Sequence, residues 1–414
     1  MSRRAIVLYL HVHQPLRVRD YTIFDAGRDH NYFFDANYQS RTSNERILHK
    51  VAEKSYVPTN RRLLDILKRH PEFKLNLSIT GTVLEQLEMW SPEALQSFKD
   101  LVATGRVELL AETYYHSLAF FYSRFEFEKQ VRMHHDKIKE IFGVTPKVFR
   151  NTELSYNNEL AYWADQAGYT GIVTEGWDPI LDWRSPNFVY RPVNTGNIRL
   201  LLKNYRMSDD IAFRFSDRNW SEWPLTVDKF SSWIHALDQN QTNVNLFMDY
   251  ETFGEHQWHE AGIFDFLEHL PAKLLEHEHT TFMTVSEVID AFEPVDEIDV
   301  PQTITWADTE RDLSAWVGNA MQQQAITELY ALEKDVLASG DHELIEDWRR
   351  LQTSDHVYYM CTKYFSDGNV HAYFSPYESP YDAFIIFCNV LRDVHLRALK
   401  AREGAENHVQ ADSP

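Results

Sequence analysis

Short apolar runs alternate with amphipathic segments along the chain as far as Pro294. The runs carry the β-branched and aromatic residues of buried strands, and the segments between them repeat apolar residues with a helical period. Strands are predicted over 5–12, 73–79, 107–111, 147–149, 170–174, 244–249 and 281–285, with a pair near 189–190 and 198–202. The main helices are predicted over 61–68, 82–90, 93–103, 125–142, 157–167, 226–239 and 263–275.

This alternation of strand and helix predicts a parallel sheet with crossover helices, either doubly wound or closed into a barrel. Polar residues follow the strands at their carboxyl ends, which favours a barrel-type active face. After Pro294 the pattern predicts helices alone, over 313–338, 342–353 and 380–401. We therefore predict an α/β domain over 1–295, a C-terminal helical region over 296–403 and a flexible tail over 404–414.

The sharpest change from apolar to polar lies within residues 243–258. A predicted buried strand ends in Asp249, and Glu251, Glu255 and His256 follow within a few residues. Burying such groups costs free energy unless they are paired or serve a function. The pattern therefore predicts a polar site at this strand end.

Composition narrows the range of partners. A formal net charge of −21 disfavours nucleic acid and anionic membranes, so we expect neither as a partner. The sequence has no run of about 18 apolar residues that could span a membrane. Cys361 and Cys388 are not in a CxxC motif, and we expect buried free thiols in a cytoplasmic protein. The oligomeric state does not follow from the sequence.

Carboxylate chemistry fits the residues best. The phosphate-loop, dinucleotide-binding, nucleophile-elbow and zinc-protease motifs are all missing, and two cysteines are too few for a cysteine-ligated metal. Glu153 and Asp249 each follow a predicted strand among polar and aromatic neighbours. Two carboxylates across an aromatic cleft are typical of glycoside hydrolysis. For either residue alone, a helix cap or an ion pair is the alternative.

His11 and His13 are two positions apart on the first predicted strand, so their side chains share a face. One interpretation is a metal site completed by an acidic residue. The other, which we favour, is hydrogen bonding to the hydroxyl groups of a substrate.

Five motifs resemble the conserved regions of glycoside hydrolase family 57, and they occur in the family's order across most of the chain. They are HVHQP at 11–15, VELLAETYYHSLA at 107–119, FRNTELSYNN at 149–158, MDYETFGEH at 248–256 and WADTERDLSAWVGN at 306–319. The residues of these motifs are most similar to those of the family's α-amylases and amylase-like members.

The resemblance implies an incomplete (β/α)7 catalytic barrel over 1–295, with the helical region packed on it and contributing to the cleft. It implies retaining hydrolysis of α-1,4-glucosidic bonds in α-glucans or malto-oligosaccharides, with no cofactor and no metal in catalysis. Glu153 falls on the family's nucleophile and Asp249 on its general acid/base. Residues expected to contact substrate are His11, His13, His116, Glu251, Asp312 and Trp316.

Three other functions stay open at this stage. A 4-α-glucanotransferase would act on the same substrates by the same chemistry, with a sugar hydroxyl in place of water. A glucan-binding protein of weak activity would bind without releasing reducing sugar. A metal-dependent polysaccharide deacetylase also places His and Asp at barrel strand ends, although no three-ligand motif is evident here.

Overall fold

The computed structural model describes residues 3–363 and 373–411, with the backbone alone over 403–411. The chain divides into two compact units. Unit 1 comprises Met1–Gln14, Leu48–Thr113 and Val131–Trp306, and unit 2 comprises Pro15–Ile47, Tyr114–Gln130 and Ala307–Pro414. Each unit joins segments that are distant in sequence, whereas the sequence analysis placed its main boundary after residue 295. The assignment of a barrel to 1–295, a helical region to 296–403 and a flexible tail to 404–414 stays a prediction.

The described residues form ten strands, numbered β1 to β10 in chain order. They are Arg4–Val12, Leu75–Ile79, Val107–Leu109, Val148–Phe149, Gly171–Glu175, Val189–Pro192, Arg199–Lys203, Asn243–Asp249, Thr280–Phe282 and Glu297–Ile298. Every predicted strand is confirmed with small shifts of its ends, and β10 was not predicted. Strand β9 ends before residue 285 because Thr284 caps the next helix, where its side chain accepts a hydrogen bond from the backbone N–H of Glu287.

The strands form two five-stranded sheets within unit 1. In the first sheet neighbours run β3-β2-β1-β8, and β9 also pairs with β1; in the second they run β10-β6-β7-β5-β4. All strand pairs are parallel except β6 with β7, which is antiparallel. Parallel pairing with helices between the strands confirms the predicted α/β class.

Alternate residues of both sheets meet in one apolar core. Its members on or beside the strands include Ala5, Val7, Tyr9, Leu110, Val148, Val173, Val189, Leu201 and Phe247. Side chains two positions apart share one face of a strand. The residue two positions after the last core residue of a strand therefore faces the same side as the core. At the carboxyl ends of the strands these positions hold His11, Glu112, Arg150, Glu175, Lys203 and Asp249.

The α-helices are numbered α1 to α17 in chain order over the described residues. They are Asn44–Val51, Val57–Arg69, Gly81–Trp90, Pro92–Val102, Arg124–Phe142, Asn158–Gln166, Asp178–Leu181, Tyr205–Ala212, Val227–Ala236, Ile263–Leu275, Val285–Ala291, Ser314–Val317, Ala320–Ala331, Glu333–Ser339, His342–Arg350, Asp355–Tyr358 and Pro380–Ala411. A π-helical segment, Ala52–Tyr56, joins the first two helices.

The predicted helix over 313–338 was wrong in one respect, because the structure divides it into α12, α13 and α14. Asn319 starts a new helix there: its side chain accepts a hydrogen bond from the backbone N–H of Gln322, whose side chain reciprocates. This capping box satisfies helix-end groups that a continuous helix would pair internally. The last helix, α17, continues to Ala411, past the end predicted at residue 401.

Both cysteines are free thiols, as predicted, but only one of them is buried. Cys361 is buried, whereas Cys388 is half-buried. Among the described residues, no helix combines the length and apolar character needed to cross a bilayer. The cytoplasmic location stays a prediction.

Candidate active site

His11 and Asp249 occupy directly paired positions at the carboxyl ends of the neighbouring strands β1 and β8. Each follows a core residue by two positions, Tyr9 in one strand and Phe247 in the other, so both side chains share the inward face. Nδ1 of His11 lies 3.7 Å from Oδ1 of Asp249. The fold of the sheet therefore places an imidazole beside the carboxylate that the sequence singled out.

The other ring nitrogen of His11 contacts a second carboxylate. Nε2 donates a hydrogen bond of 3.2 Å to Oε2 of Glu112, and the same oxygen accepts a 3.2 Å bond from Nη1 of Arg150. The Glu112 and Arg150 side chains are both fully buried. Two buried opposite charges in contact compensate each other, whereas either one alone would be costly.

Arg150 interacts with both candidate catalytic carboxylates. Burial alone would lower the pKa of its guanidinium, but the surrounding acidic groups, Tyr9, Glu112, Glu153 and Asp249, raise that pKa above its usual value. Arg150 therefore stays charged, and its positive charge interacts favourably with both Glu153 and Asp249.

Glu153 lies in a 3-10 turn, Thr152–Leu154, that follows β4. Its backbone has φ 58° and ψ 28°, in the left-handed region that side chains with a Cβ seldom adopt. Nε1 of Trp306 donates a hydrogen bond of 2.7 Å to Oε2 of Glu153, and the backbone N–H of Trp306 donates to the Glu153 carbonyl at 3.1 Å. Strained backbone held by such contacts is frequent at functional sites.

Trp306 also links Glu153 to the histidine. Its ring centroid lies 6.4 Å from that of His11, in an edge arrangement. Two buried cations, Arg150 and Lys203, each lie 5.4 Å from the centroid of the Trp306 ring. The indole is thus held from several directions while its N–H points at the Glu153 carboxylate.

Opposing effects act on the Asp249 carboxyl. Burial would raise its pKa, but the contact with His11 and electrostatic interactions with His256 and Arg150 outweigh this and hold the pKa below its usual value. The side chain is 38% exposed, so it is open to solvent on one side. In the free protein Asp249 is therefore a carboxylate at neutral pH.

Glu251 lies in the turn Tyr250–Thr252 after β8, and its carboxyl is protonated at neutral pH. Burial, and next the negative charge of Asp249, raise the pKa of its carboxyl to about 8, against weaker opposing hydrogen bonds from Tyr56 and Gln14. The hydroxyl of Tyr56 donates directly to Oε1 of Glu251. At neutral pH the neighbouring carboxyls of Asp249 and Glu251 therefore differ in protonation state.

His13 extends the same side of the strand. Its ring stacks on that of His11 with centroids 5.9 Å apart, and its Nδ1 lies 2.8 Å from the hydroxyl of Thr80. His13 is half-buried, whereas His11 is 2% exposed. The predicted shared face of the two histidines is confirmed.

The family model for Glycosyl hydrolase family 57 matches residues 7–301, which is most of the chain. The chain belongs to this family. It is therefore an enzyme of the glycoside hydrolase class, as the sequence motifs predicted.

Three relatives illustrate the relationship of this family 57 chain to known proteins. A protein of Methanocaldococcus jannaschii named "Putative alpha-amylase" is 44% identical over 399 residues, 94% of this chain and 83% of that one. A GH57-type branching enzyme from Pyrococcus horikoshii has the same fold, with TM-score 0.67 and 15% identity over 90% of this chain and 87% of that one. A 4-alpha-glucanotransferase from Thermococcus litoralis gives TM-score 0.58 and 19% identity over 87% of this chain, which spans 52% of that one.

Unit 1 of this family 57 enzyme brings together five of the eight predicted site residues: Glu153, Asp249, His11, His13 and Glu251. The other three lie in unit 2. His116 is buried, with a left-handed backbone at φ 52°, and its carbonyl accepts a hydrogen bond from Ser354. The contact of His116, Asp312 and Trp316 with substrate stays a prediction.

Asp312 and Trp316 have local roles within unit 2. Asp312 is exposed, and its Oδ1 accepts a 2.8 Å hydrogen bond from the backbone N–H of Ser314 at the start of α12. Trp316 is 1% exposed, and its ring lies 5.8 Å from that of Tyr358. Both arrangements stabilise this unit whether or not the side chains also meet a glucan.

The sequence analysis missed four residues at the site: Trp306, Glu112, Arg150 and Lys203. Glu112 and Arg150 lie two positions beyond the core residues Leu110 and Val148, and Lys203 follows Leu201 in the same way. The period of two that identified His11 could have identified these three as well. Trp306 had a weaker signal, since it only opens one of the family motifs.

Proposed function

We propose that this enzyme hydrolyses α-1,4-glucosidic bonds in α-glucans and malto-oligosaccharides by a retaining double displacement. Glu153 is the nucleophile and Asp249 the general acid/base. The observation that carries the proposal is that two residues connect the candidate carboxylates. Arg150 interacts electrostatically with both Glu153 and Asp249. Trp306 donates a hydrogen bond to Glu153 and contacts His11, the partner of Asp249. The similarity to the M. jannaschii protein supports the choice of substrate class.

In the first step a carboxylate oxygen of Glu153 bonds to the anomeric carbon as the glycosidic bond breaks. Asp249 gives its proton to the departing oxygen, so the shortened glucan leaves as an alcohol. In the second step Asp249 removes a proton from water, the water oxygen bonds to the anomeric carbon, and the ester to Glu153 breaks. Both carboxyls end in their starting states.

The first step needs Asp249 protonated, although its pKa is low in the free protein. A glucan that covers the exposed part of this side chain would remove water from it, and desolvation raises the pKa of a carboxyl. Glu251, the neighbouring carboxyl of high pKa, adds to this effect whenever it ionises. We propose that substrate binding itself prepares Asp249 to act as an acid.

The proposed site needs the two sheets to bring their strand ends together, and we infer that they form the incomplete (β/α)7 barrel. Hydrogen bonds link the sheets at two places. The backbone N–H of Ala111, after β3, donates to Val148 in β4 at 2.9 Å, and the N–H of Asn204, after β7, donates to Asn245 in β8 at 2.9 Å. Seven strands, β8-β1-β2-β3-β4-β5-β7, would then follow one another around the core.

We propose that the remaining predicted residues contact the glucan. His11, His13 and Glu251 would hydrogen-bond to sugar hydroxyls near the bond that is cleaved. His116, Asp312 and Trp316 are proposed as further contacts on the strength of the family motifs alone.

Maltoheptaose distinguishes the proposed hydrolysis from transfer. Hydrolysis gives only shorter oligosaccharides, whereas a 4-α-glucanotransferase, the activity named for the T. litoralis relative, gives longer ones too. Proton NMR at early times reads the stereochemistry, and retention predicts that the α-anomer of the new reducing end forms first. Products longer than the substrate would favour transfer, the β-anomer would exclude the retaining mechanism, and binding without any product would favour the glucan-binding alternative.

A further inference from the structure

We propose that Glu112 is a positioning residue, which fixes the ring of His11 so that its Nδ1 edge faces Asp249. This inference rests on the proposed function, because it matters for the reaction only if Asp249 is the acid/base. Nothing in the family resemblance assigned a role to Glu112.

The imidazole of His11 lies between two carboxylates. A carboxylate accepts hydrogen bonds, so Nε2 of His11 carries a proton in its 3.2 Å bond to Glu112. This bond leaves the opposite edge of the ring, with Nδ1, toward Asp249 at 3.7 Å. A flip of the ring would break the bond to Glu112 and turn a carbon toward that carboxylate.

Glu112 is itself held from two directions. Its Oε2 also accepts from the buried guanidinium of Arg150, and its backbone N–H donates to Nδ1 of His134 at 3.3 Å. Nε2 of His134 in turn donates to the carbonyl of Ile79 at 2.9 Å. Burial lowers the pKa of His134 despite the nearby charge of Glu112, so this imidazole is neutral and can accept the Glu112 N–H.

Such an arrangement resembles the orienting partners of reactive histidines at other sites, where a carboxylate on one ring nitrogen fixes what the other nitrogen does. Here the oriented nitrogen faces the carboxyl that must lose and regain a proton. A small misplacement of groups in a reacting geometry can cost orders of magnitude in rate. A purely structural Glu112, which only ties Arg150 to the sheet, would act on stability and not through His11.

The decisive comparison is a double-mutant cycle. We would measure kcat/KM on maltoheptaose for the wild type, Glu112→Gln, His11→Gln and the double variant. Glu108→Gln is the matched control, because Glu108 is a half-buried carboxylate on the same segment whose two oxygens accept hydrogen bonds from the N–H, at 2.9 Å, and the hydroxyl of Ser286. Nitrogen-15 NMR of labelled histidine, assigned with His11→Gln, reports directly on the ring.

We expect Glu112→Gln to lower kcat/KM by roughly 10- to 100-fold, the loss seen when outer partners of metal-bound histidines are removed. In the His11→Gln background the same change should cost nothing further, since coupled residues are not additive. The His11 ring resonances should move in Glu112→Gln and stay in place in Glu108→Gln.

The inference would be overturned if the double variant lost kcat/KM by the product of the two single losses. It would also be overturned if the His11 resonances did not move in Glu112→Gln. If Glu112→Gln does not fold, Glu112→Asp keeps a negative charge near Arg150 while the shorter side chain withdraws Oε2 from both partners, and the same cycle applies. If the wild type turns over no α-glucan, the proposed function fails, while the NMR comparison still decides whether Glu112 holds His11.

Discussion

The indole nitrogen of Trp306 donates a 2.7 Å hydrogen bond to the carboxylate of Glu153, and the two residues are also joined through their backbones. As the proposed nucleophile, Glu153 must present one oxygen to the anomeric carbon in a fixed direction. The indole N–H, itself held beneath Lys203 and Arg150, supplies that constraint. The arrangement makes Trp306 a determinant of how Glu153 is aimed.

Trp306→Phe should therefore lower turnover while leaving the protein folded. Phenylalanine retains an aromatic ring against the core but donates no hydrogen bond. A hydrogen bond to a charged group contributes about 1.5–3 kcal/mol, which corresponds to a loss of roughly 10- to 100-fold in kcat. Initial rates on maltoheptaose check this, together with the thermal midpoint of each protein.

Trp183→Phe is the matched control, because the Trp183 side chain is 81% exposed and the same substitution there removes no contact of the site. Its rate should equal that of the wild type. Equal rates for Trp306→Phe and Trp183→Phe would show that the indole N–H has no part in the reaction.

Much of this site could be predicted because one simple periodicity runs through the sheets. Positions Tyr9 and Phe247 are apolar, and His11 and Asp249 follow them two residues later, which is visible in the sequence as a strand with a polar end. The same alternation makes Glu112 and Arg150 recognisable in retrospect. They went unassigned because a lone charged residue after a strand usually serves only a local ion pair.

The rest depends on contacts that no local pattern encodes. Trp306 follows no predicted strand, and its partner Glu153 is far away in sequence, so only the folded chain shows that they meet. The shifted pKa of Glu251 likewise comes from burial and from Asp249 together, neither of which the composition of the segment reveals. The helix break at Asn319 arises from a capping box, a signal easily overlooked inside an otherwise helical pattern.

Glu153→Gln should abolish turnover and keep oligosaccharide binding. The amide has nearly the shape of the carboxylate but is too weak a nucleophile to attack the anomeric carbon. Calorimetric titration with maltoheptaose should give affinity close to that of the wild type, while product release falls to background. Glu159→Gln, an exposed position on α6, controls for the substitution itself. Turnover at the wild-type rate in Glu153→Gln would remove Glu153 from the mechanism.

A retaining mechanism also predicts a distance. The carboxyl groups of Glu153 and Asp249 should lie ~5–5.5 Å apart, since a larger gap leaves room for a water and leads to inversion. A crystal structure with a bound malto-oligosaccharide measures this separation directly. Carboxyls more than ~10 Å apart, or on opposite faces of the sheet, would contradict the assignment of both residues.

The raised pKa of Glu251 predicts how stability changes with pH. Its carboxyl has a pKa of about 8 in the folded protein, against 4.5 as the reference. Between these values the folded state holds the proton more tightly than the unfolded state, so this group makes the protein less stable as the pH rises. The penalty is absent below about pH 4.5 and reaches roughly 3–5 kcal/mol by pH 8.

Glu251→Gln should remove this penalty, because glutamine has no proton to lose and can still accept the hydrogen bond from Tyr56. We expect its unfolding midpoint in urea to match that of the wild type near pH 5 and to exceed it clearly at pH 8. Glu159→Gln, which removes an exposed carboxylate, should follow the wild type at both values. If Glu251→Gln and the wild type lost stability in parallel from pH 5 to pH 8, Glu251 would be an ordinary ionised carboxylate, and its proposed influence on the proton of Asp249 would have no basis.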